Sequence, residues 1–169
     1  MEPSAVLNSL KDMKNYNRIG LDEQQSAKLA ELLRDLLANY SVYYQNMRGY
    51  HWNIQGQKFF ELHIKFEELY NDFFLKIDDI AERILTLGHA PSHQFSSYLN
   101  ESSIKESTEV NDGIKAVKSI LDSFEIILSK QRKILAISAE IGDEGTNALM
   151  SDYIREQEKL VWMYSAYLK

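Results

Sequence analysis

Residues 51–85 read HWNIQGQKFFELHIKFEELYNDFFLKIDDIAERIL and contain the pattern that decides the fold. From residue 59 onward, large apolar residues recur three and four positions apart, which predicts an amphipathic helix that ends near Gly88. Residues 53–57 are a turn signal, and a second apolar stripe of the same spacing precedes them between residues 21 and 51. Because the connection is so short, the two predicted helices must be antiparallel neighbours.

The rest of the chain adds two more long helices. Residues 88–108 contain a glycine, a proline and many serines, which predicts a long crossing connection with one short helix at about residues 95–99. A third helix follows and stops at Gly142, and either Asp143 or Thr146 can cap a fourth. Four helices with one long crossing predict an all-α fold, a ferritin-like four-helix bundle with a short helix in the connection between the second and third long helices.

Composition limits the function. The chain has 169 residues, no cysteine and a formal net charge of −6, and it predicts one domain at residues 21–169 after a short tail at residues 1–20. Without cysteine, any metal must be bound by His, Asp or Glu. No apolar run resembles a signal peptide or a membrane span, so we expect a cytoplasmic protein without membrane contact. The acidic balance disfavours a general nucleic-acid surface.

Four ionisable residues share one face of the second predicted helix. His63 and Glu67 form one pair and Asp78 and Glu82 another, and about 22 Å separates His63 from Asp78 along the axis. One ion cannot contact both pairs, so they can share a site only if two copies of this helix meet antiparallel about a two-fold axis. His51 precedes the turn at a height similar to that of His63. The predicted site combines His51, His63 and Glu67 of one chain with Asp78 and Glu82 of another, and we expect some of these charges to be partly buried.

Imidazole and carboxylate ligands without sulfur suit Fe(II), and also Zn, Mn or Co. Trp52, beside His51, is either an oxidisable ring close to such redox chemistry or a packing residue. Phe60 lies three residues before His63, so the ExxH motif of an intrachain di-iron centre is absent. Two simpler interpretations remain open: the charges form ordinary solvated pairs one turn apart, and the protein is a metal-free helical scaffold.

Several motifs carry a resemblance to a known family: HWNIQGQKFF at 51–60, LH at 62–63, FEELY at 66–70, DDIAERIL at 78–85, GDEGT at 142–146 and WM at 162–163. With them the chain resembles, over nearly its whole length, the Dps family, the ferritin-like proteins of DNA protection during starvation. The resemblance implies a hollow shell of twelve chains built from two-fold dimers, with a ferroxidase centre at each dimer-interface site. It implies oxidation of Fe(II), preferably by hydrogen peroxide but also by oxygen, storage of a ferric mineral and protection against oxidative stress.

The resemblance also implies roles for individual residues. Trp52 would act as an electron donor or radical trap, and Glu140, Asp143 and Glu144 resemble the acidic segment that lines iron-entry pores in the family. Zinc or another divalent metal could substitute for iron at the interface site. The family commonly has Asp where this chain has Glu67, so the longer side chain puts occupancy of the second iron position in question.

DNA binding does not follow from the resemblance alone. Family members that bind DNA usually use mobile lysine-rich tails, whereas the first twenty residues carry three basic side chains against two acidic ones: Lys11, Lys14 and Arg18 against Glu2 and Asp12. Such a tail on an acidic shell predicts weak or absent DNA binding, although twelve tails could act together at low salt. The alternative function that remains is a nucleoid-associated, DNA-compacting shell in which iron chemistry is secondary.

Overall fold

A computed structural model of the chain describes residues 15–169 and contains five helices in that range. They are α1 (Glu23–Asn53), α2 (Phe59–Thr86), α3 (Phe95–Glu101), α4 (Gly113–Glu140) and α5 (Glu144–Tyr167). The four long helices form a bundle and the short α3 lies in the crossing between α2 and α4, which confirms the predicted architecture. Within residues 15–169, no helix combines the length and the hydropathy that a membrane span requires.

Aspartates begin three of the four long helices. The carboxylates of Asp22, Asp112 and Asp143 each accept a hydrogen bond from the backbone N–H three residues later, at 2.9 to 3.0 Å. These bonds satisfy backbone donors that have no partner within the helix. Of the two predicted caps of α5, the structure uses Asp143 rather than Thr146. Gly142 ends the preceding turn with a φ of 72°, a backbone conformation that glycine adopts without strain.

Aromatic rings and amides fill the centre of the bundle. The Phe73 ring lies 4.7 Å from both the Tyr40 and Tyr43 ring centroids, and all three side chains are fully buried. Gln131 of α4 and Gln157 of α5 each donate from Nε2 to the Tyr40 hydroxyl at 2.6 Å. The hydroxyl therefore ties three helices together where apolar packing alone would leave their relative rotation less defined.

Two asparagines on α1 fix the long crossing segment. Asn39 is fully buried, and its Oδ1 accepts hydrogen bonds from the backbone N–H groups of Ser103 and Ile104 at 3.0 and 3.2 Å. Two helical turns later, Asn46 accepts from Ser107 N–H and donates to the Lys105 carbonyl, both at 2.9 Å. Backbone groups of the crossing segment form hydrogen bonds with α1 side chains, so this part of the segment has a defined conformation although it lacks regular secondary structure.

Residues 15–20, which belong to the predicted N-terminal tail, form hydrogen bonds with the bundle. Asn17 lies in the segment assigned to the tail, yet its Oδ1 accepts from Ile19 and Leu21 N–H at 3.1 and 3.0 Å. Its Nδ2 donates to Ser26 Oγ of α1 and to the Leu87 carbonyl after α2, at 3.2 and 3.4 Å. Residues 15–20 are thus attached to the bundle, and the rest of the predicted tail, residues 1–14, lies outside the described residues.

Candidate metal centre

The connection between α1 and α2 brings two histidines together. His51 lies in the last turn of α1 and His63 lies near the start of α2, and only five residues separate the two helices. The imidazole ring centroids are 3.8 Å apart and the ring planes differ by 19°, so the rings stack. Their similar height follows from the antiparallel hairpin, as the sequence spacing predicts.

Each of these histidines donates a hydrogen bond to the backbone of the other. His51 Nδ1 lies 2.8 Å from the His63 carbonyl oxygen, and His63 Nδ1 lies 2.8 Å from the His51 carbonyl oxygen. A carbonyl oxygen only accepts, so both Nδ1 atoms carry the proton. In the neutral rings both Nε2 atoms then carry the lone pair, which is the form that binds a metal, with the second nitrogen held by a backbone oxygen.

Glu67 and Tyr70 follow His63 on the same helix. Glu67 is exposed, one turn beyond His63. The Tyr70 ring meets the His51 ring edge-on, with centroids 5.3 Å apart and planes at 77°. Partial burial, and next the negative charge of Glu67, raise the pKa of Tyr70, so the phenol keeps its proton at neutral pH. Tyr70 is a neighbour of the site that the sequence analysis missed. Its spacing of seven residues from His63, about two turns, was the available signal.

The second pair of carboxylates stays far from the histidines in one chain. Asp78 and Glu82 lie toward the other end of α2, about 22 Å along the axis from His63. Both are exposed, as is Glu67, so in a single chain the partial burial expected for some of the four charged groups applies to His63 and not to the carboxylates. Within residues 15–169 of one chain, no three His, Asp or Glu side chains come close enough to hold a metal ion. A site that uses both pairs needs a second copy.

The face of α2 that carries these groups is also apolar and exposed. Four large side chains lie on it with 53 to 79% of their surface exposed: Phe60, Ile64, Phe74 and Leu75. At about 100° per residue they fall within about 120° of His63, the same sector as Glu67, Asp78 and Glu82. A stripe of exposed apolar side chains interleaved with carboxylates is typical of a surface that another protein surface covers.

Comparisons with known proteins agree with this fold. The family model described as a ferritin-like domain matches residues 30–169. The DNA protection during starvation protein of Porphyromonas gingivalis is 47% identical over 148 residues, which cover 88% of this chain and 93% of that protein. The crystal structure of the Dps protein from Vibrio cholerae is 61% identical with a TM-score of 0.90, and the match covers 92% of this chain and 98% of that one. The chain belongs to the Dps family.

More distant relatives keep the same fold. The crystal structure of antigen TpF1 from Treponema pallidum is 33% identical, with a TM-score of 0.85 over 88% of this chain and 96% of that one. The structural match therefore holds where two thirds of the residues differ.

Trp52, the residue for which the Dps resemblance implies a redox role, lies on the outside of the single chain. Its indole is 57% exposed, directly after His51. The Arg48 guanidinium carbon lies 4.6 Å from the centre of this ring and 5.5 Å from that of Tyr44. Positions 44, 48 and 52 are one turn apart, so the cation packs between two aromatic rings along one line of α1.

The three acidic residues implied as pore residues in the Dps family have different environments. Glu140 and Glu144 are exposed at the turn between α4 and α5. Asp143 is 2% exposed, caps α5 and forms an ion pair with Arg83 of α2, which also donates to Thr146 Oγ1 at 2.8 Å. The Asp143 carboxylate is therefore occupied within one chain, and the pore prediction is carried by the two glutamates.

Proposed function

We propose that this chain is an iron-storage and detoxification protein, a ferroxidase whose sites form between two antiparallel copies of α2. The observation that carries the proposal is the reciprocal His51–His63 pair, because each Nδ1 is bound to a backbone carbonyl and both Nε2 atoms are left as the ring nitrogens available to a metal, one helical turn from the exposed Glu67. Imidazole and carboxylate together bind Fe(II), and the carboxylates also stabilise Fe(III). Zinc and other divalent metals would compete for the same ligands.

The exposed face of α2 supports a shared site. If two such faces meet about a two-fold axis, Asp78 of the partner subunit and Glu82 of the partner subunit approach His51, His63 and Glu67. The same contact would bury the side chains of Phe60 and Phe74, whose exposure to water is unfavourable in free energy. Each dimer would hold two equivalent sites, and we propose that six dimers close into the hollow dodecamer of the family.

The proposed reaction uses Fe(II) as the substrate. Two Fe(II) ions each give one electron to hydrogen peroxide, the O–O bond breaks, and two protons complete two water molecules. Oxygen is the slower alternative oxidant. The Fe(III) ions then pass into the shell as a mineral, so no hydroxyl radical is released. The related Vibrio cholerae protein, described as a member of a superfamily of ferritin-like diiron-carboxylate proteins, supports iron as the metal.

Three further residues complete the proposal. Trp52, adjacent to His51, would trap a radical that escapes the site when the reaction is incomplete. Glu140 and Glu144 would attract Fe(II) to an entry pore, because they place two exposed negative charges around the start of α5. We expect the assembled protein to work in the cytoplasm, where Fe(II) and peroxide meet.

A DNA-compacting shell is the second candidate, favoured by the name of the Porphyromonas gingivalis relative, DNA protection during starvation protein. The net charge of −6 on every chain opposes contact with phosphates. A salt titration of binding to duplex DNA separates the two functions. If the assembled protein binds DNA at physiological salt, DNA compaction becomes the primary role, whereas binding confined to low salt leaves the ferroxidase function first.

The ferroxidase proposal is tested by mixing assembled protein with Fe(II) anaerobically, adding peroxide and following formation of Fe(III). We expect faster oxidation than in protein-free buffer, and a loss of that acceleration in Glu67→Gln. The matched control is Glu68→Gln, because Glu68 is exposed on the same helix but points toward α5, where it lines a groove. Oxidation no faster than in buffer would reject the proposed activity.

A further inference from the structure

Tyr70 is the oxidisable ring in closest contact with the paired histidines. Its ring stands edge-on to the His51 ring at 5.3 Å, and the Tyr44 ring lies 6.2 Å further along at 82°. Tyr70 is half-buried, so its phenol is partly shielded from bulk water. The other ring on the pair, Phe59, stacks on His63 at 5.0 Å but has no hydroxyl and is far harder to oxidise. A phenol thus adjoins a ligand imidazole directly.

The other two oxidisable rings nearby are covered by a cation. Arg48 lies over the faces of both Trp52 and Tyr44. A positive charge over a π face opposes the loss of an electron from that ring, because the resulting hole meets like charge. The cation–π contacts found among residues 15–169 do not include Tyr70. Arg48 also acts to lower the pKa of Tyr70, but partial burial and then the negative charge of Glu67 each raise it more strongly. Contact and net local charge therefore both favour Tyr70 over Trp52 as the source of an electron.

A second electron donor has a chemical use at this site. Reduction of peroxide to water takes two electrons, and a site that holds a single Fe(II) supplies one. The side chain of Glu67 is one methylene longer than that of aspartate, which puts occupancy of the second iron position in question. The reaction of peroxide with a single bound Fe(II) is therefore relevant to this site. With one electron only, the O–O bond would break to water and a hydroxyl radical.

We infer that Tyr70 supplies the second electron when one Fe(II) is bound, so that peroxide is fully reduced and the oxidising equivalent stays on the phenol ring. This inference rests on the proposed ferroxidase function. The electrons and atoms balance as follows: Fe(II) and the Tyr70 phenol each lose one electron, and the O–O bond of hydrogen peroxide breaks. The phenolic proton and one solvent proton complete two water molecules. Fe(III) and a neutral phenoxyl radical on Tyr70 remain.

The test loads the assembled protein with one Fe(II) per site, adds one equivalent of peroxide and freezes the sample for electron paramagnetic resonance. We expect a phenoxyl signal that narrows when the protein carries ring-deuterated tyrosine. Tyr70→Phe keeps the ring and should lose this signal, while spin-trapped hydroxyl radical rises. Trp52→Phe should keep it. Tyr16→Phe, which changes an exposed tyrosine away from the site, is the matched control.

The outcomes separate this inference from the ferroxidase proposal. A Tyr70→Phe protein that retains the phenoxyl signal and releases no more hydroxyl radical than the unsubstituted protein overturns the role of Tyr70, as does the absence of any phenoxyl signal before substitution. The same samples loaded with two Fe(II) per site report on the proposed function. There, the unsubstituted protein and the Tyr16→Phe control should both oxidise iron faster than buffer, and failure of both to do so counts against the ferroxidase activity itself.

Discussion

His51 and His63 fix each other's protonation through two matching hydrogen bonds, each from an Nδ1 atom to the other residue's carbonyl oxygen at 2.8 Å. The two residues end one helix and begin the next, so the backbone itself serves as the support that orients the ligands. No additional carboxylate is needed to set the tautomer. The same two hydrogen bonds therefore orient the imidazoles proposed to bind metal and hold the ends of the α1–α2 connection together.

The two functions of this pair can be separated by substitution. Asparagine at position 63 places an amide N–H at about the position of Nδ1, so His63→Asn should keep the hydrogen bond to the His51 carbonyl but remove the metal-binding nitrogen. His63→Ala removes both and should cost roughly 1 kcal/mol more in the free energy of unfolding. Calorimetric Fe(II) binding and urea unfolding measure the two effects. Tight binding by His63→Asn would show that Nε2 is not a ligand.

A shared site predicts recovery in mixed assemblies. Chains with His63→Ala and chains with Asp78→Ala/Glu82→Ala should each be inactive, whereas a dimer with one of each contains one intact site. Random mixing should restore roughly one quarter of the sites, because half of the dimers are mixed and each has one good site of two. Peroxide-dependent iron oxidation by verified mixed shells measures this. Lack of recovery would favour ligands from a single chain.

Asp143 is expected to act on stability. Asp143→Ala removes the α5 cap and leaves Arg83 without its partner, so we expect a loss of about 3 kcal/mol and a fall in Tm of roughly 10 °C. The exposed neighbour Glu144→Ala is the control and should leave the Tm nearly unchanged. Thermal unfolding of both variants decides. Equal Tm values with slower iron uptake in Asp143→Ala would instead assign this carboxylate to the pore.

Buried tyrosines predict loss of stability at alkaline pH. Burial raises the pKa of Tyr40, Tyr43, Tyr153 and Tyr164 above the ordinary value of 10.0. Above about pH 10 the unfolded chain releases these protons while the folded protein retains them, so the free energy of unfolding falls with rising pH, by up to about 1.4 kcal/mol per pH unit for each tyrosine. Below that range these groups contribute no pH dependence.

Urea unfolding across the alkaline range, followed by tyrosinate absorbance, measures this effect. Tyr40→Phe provides the comparison, since it removes one buried phenol and should make the stability less steeply dependent on pH. The substitution also leaves the Gln131 and Gln157 amides without the hydroxyl to which they donate, which should lower stability by a similar amount at every pH. An unchanged slope would show that Tyr40 ionises in the folded protein as readily as in the unfolded chain.

Much of the fold and part of the site could be predicted from local spacing. The apolar period located the long helices, and the spacing of fifteen positions from His63 to Asp78 required two copies for a common site. Which of the charged groups would be partly buried could not be predicted, because a shared angular sector does not tell which side of the helix the bundle covers; in one chain it is His63 and not the carboxylates. The attachment of residues 15–20 was missed because it depends on Asn17, whose partners include a carbonyl 70 residues away.

The sequence by itself determined the helices, the short hairpin and the positions of the histidines and carboxylates along them, because helix periodicity and glycine or aspartate at helix ends act over a few residues. Only the tertiary structure decided the protonated nitrogen of each histidine and the burial of Asp143. Each of these depends on a group from another helix or another turn. Hydrogen bonds and charge contacts form only at short distance, so their partners are set once the backbones have packed.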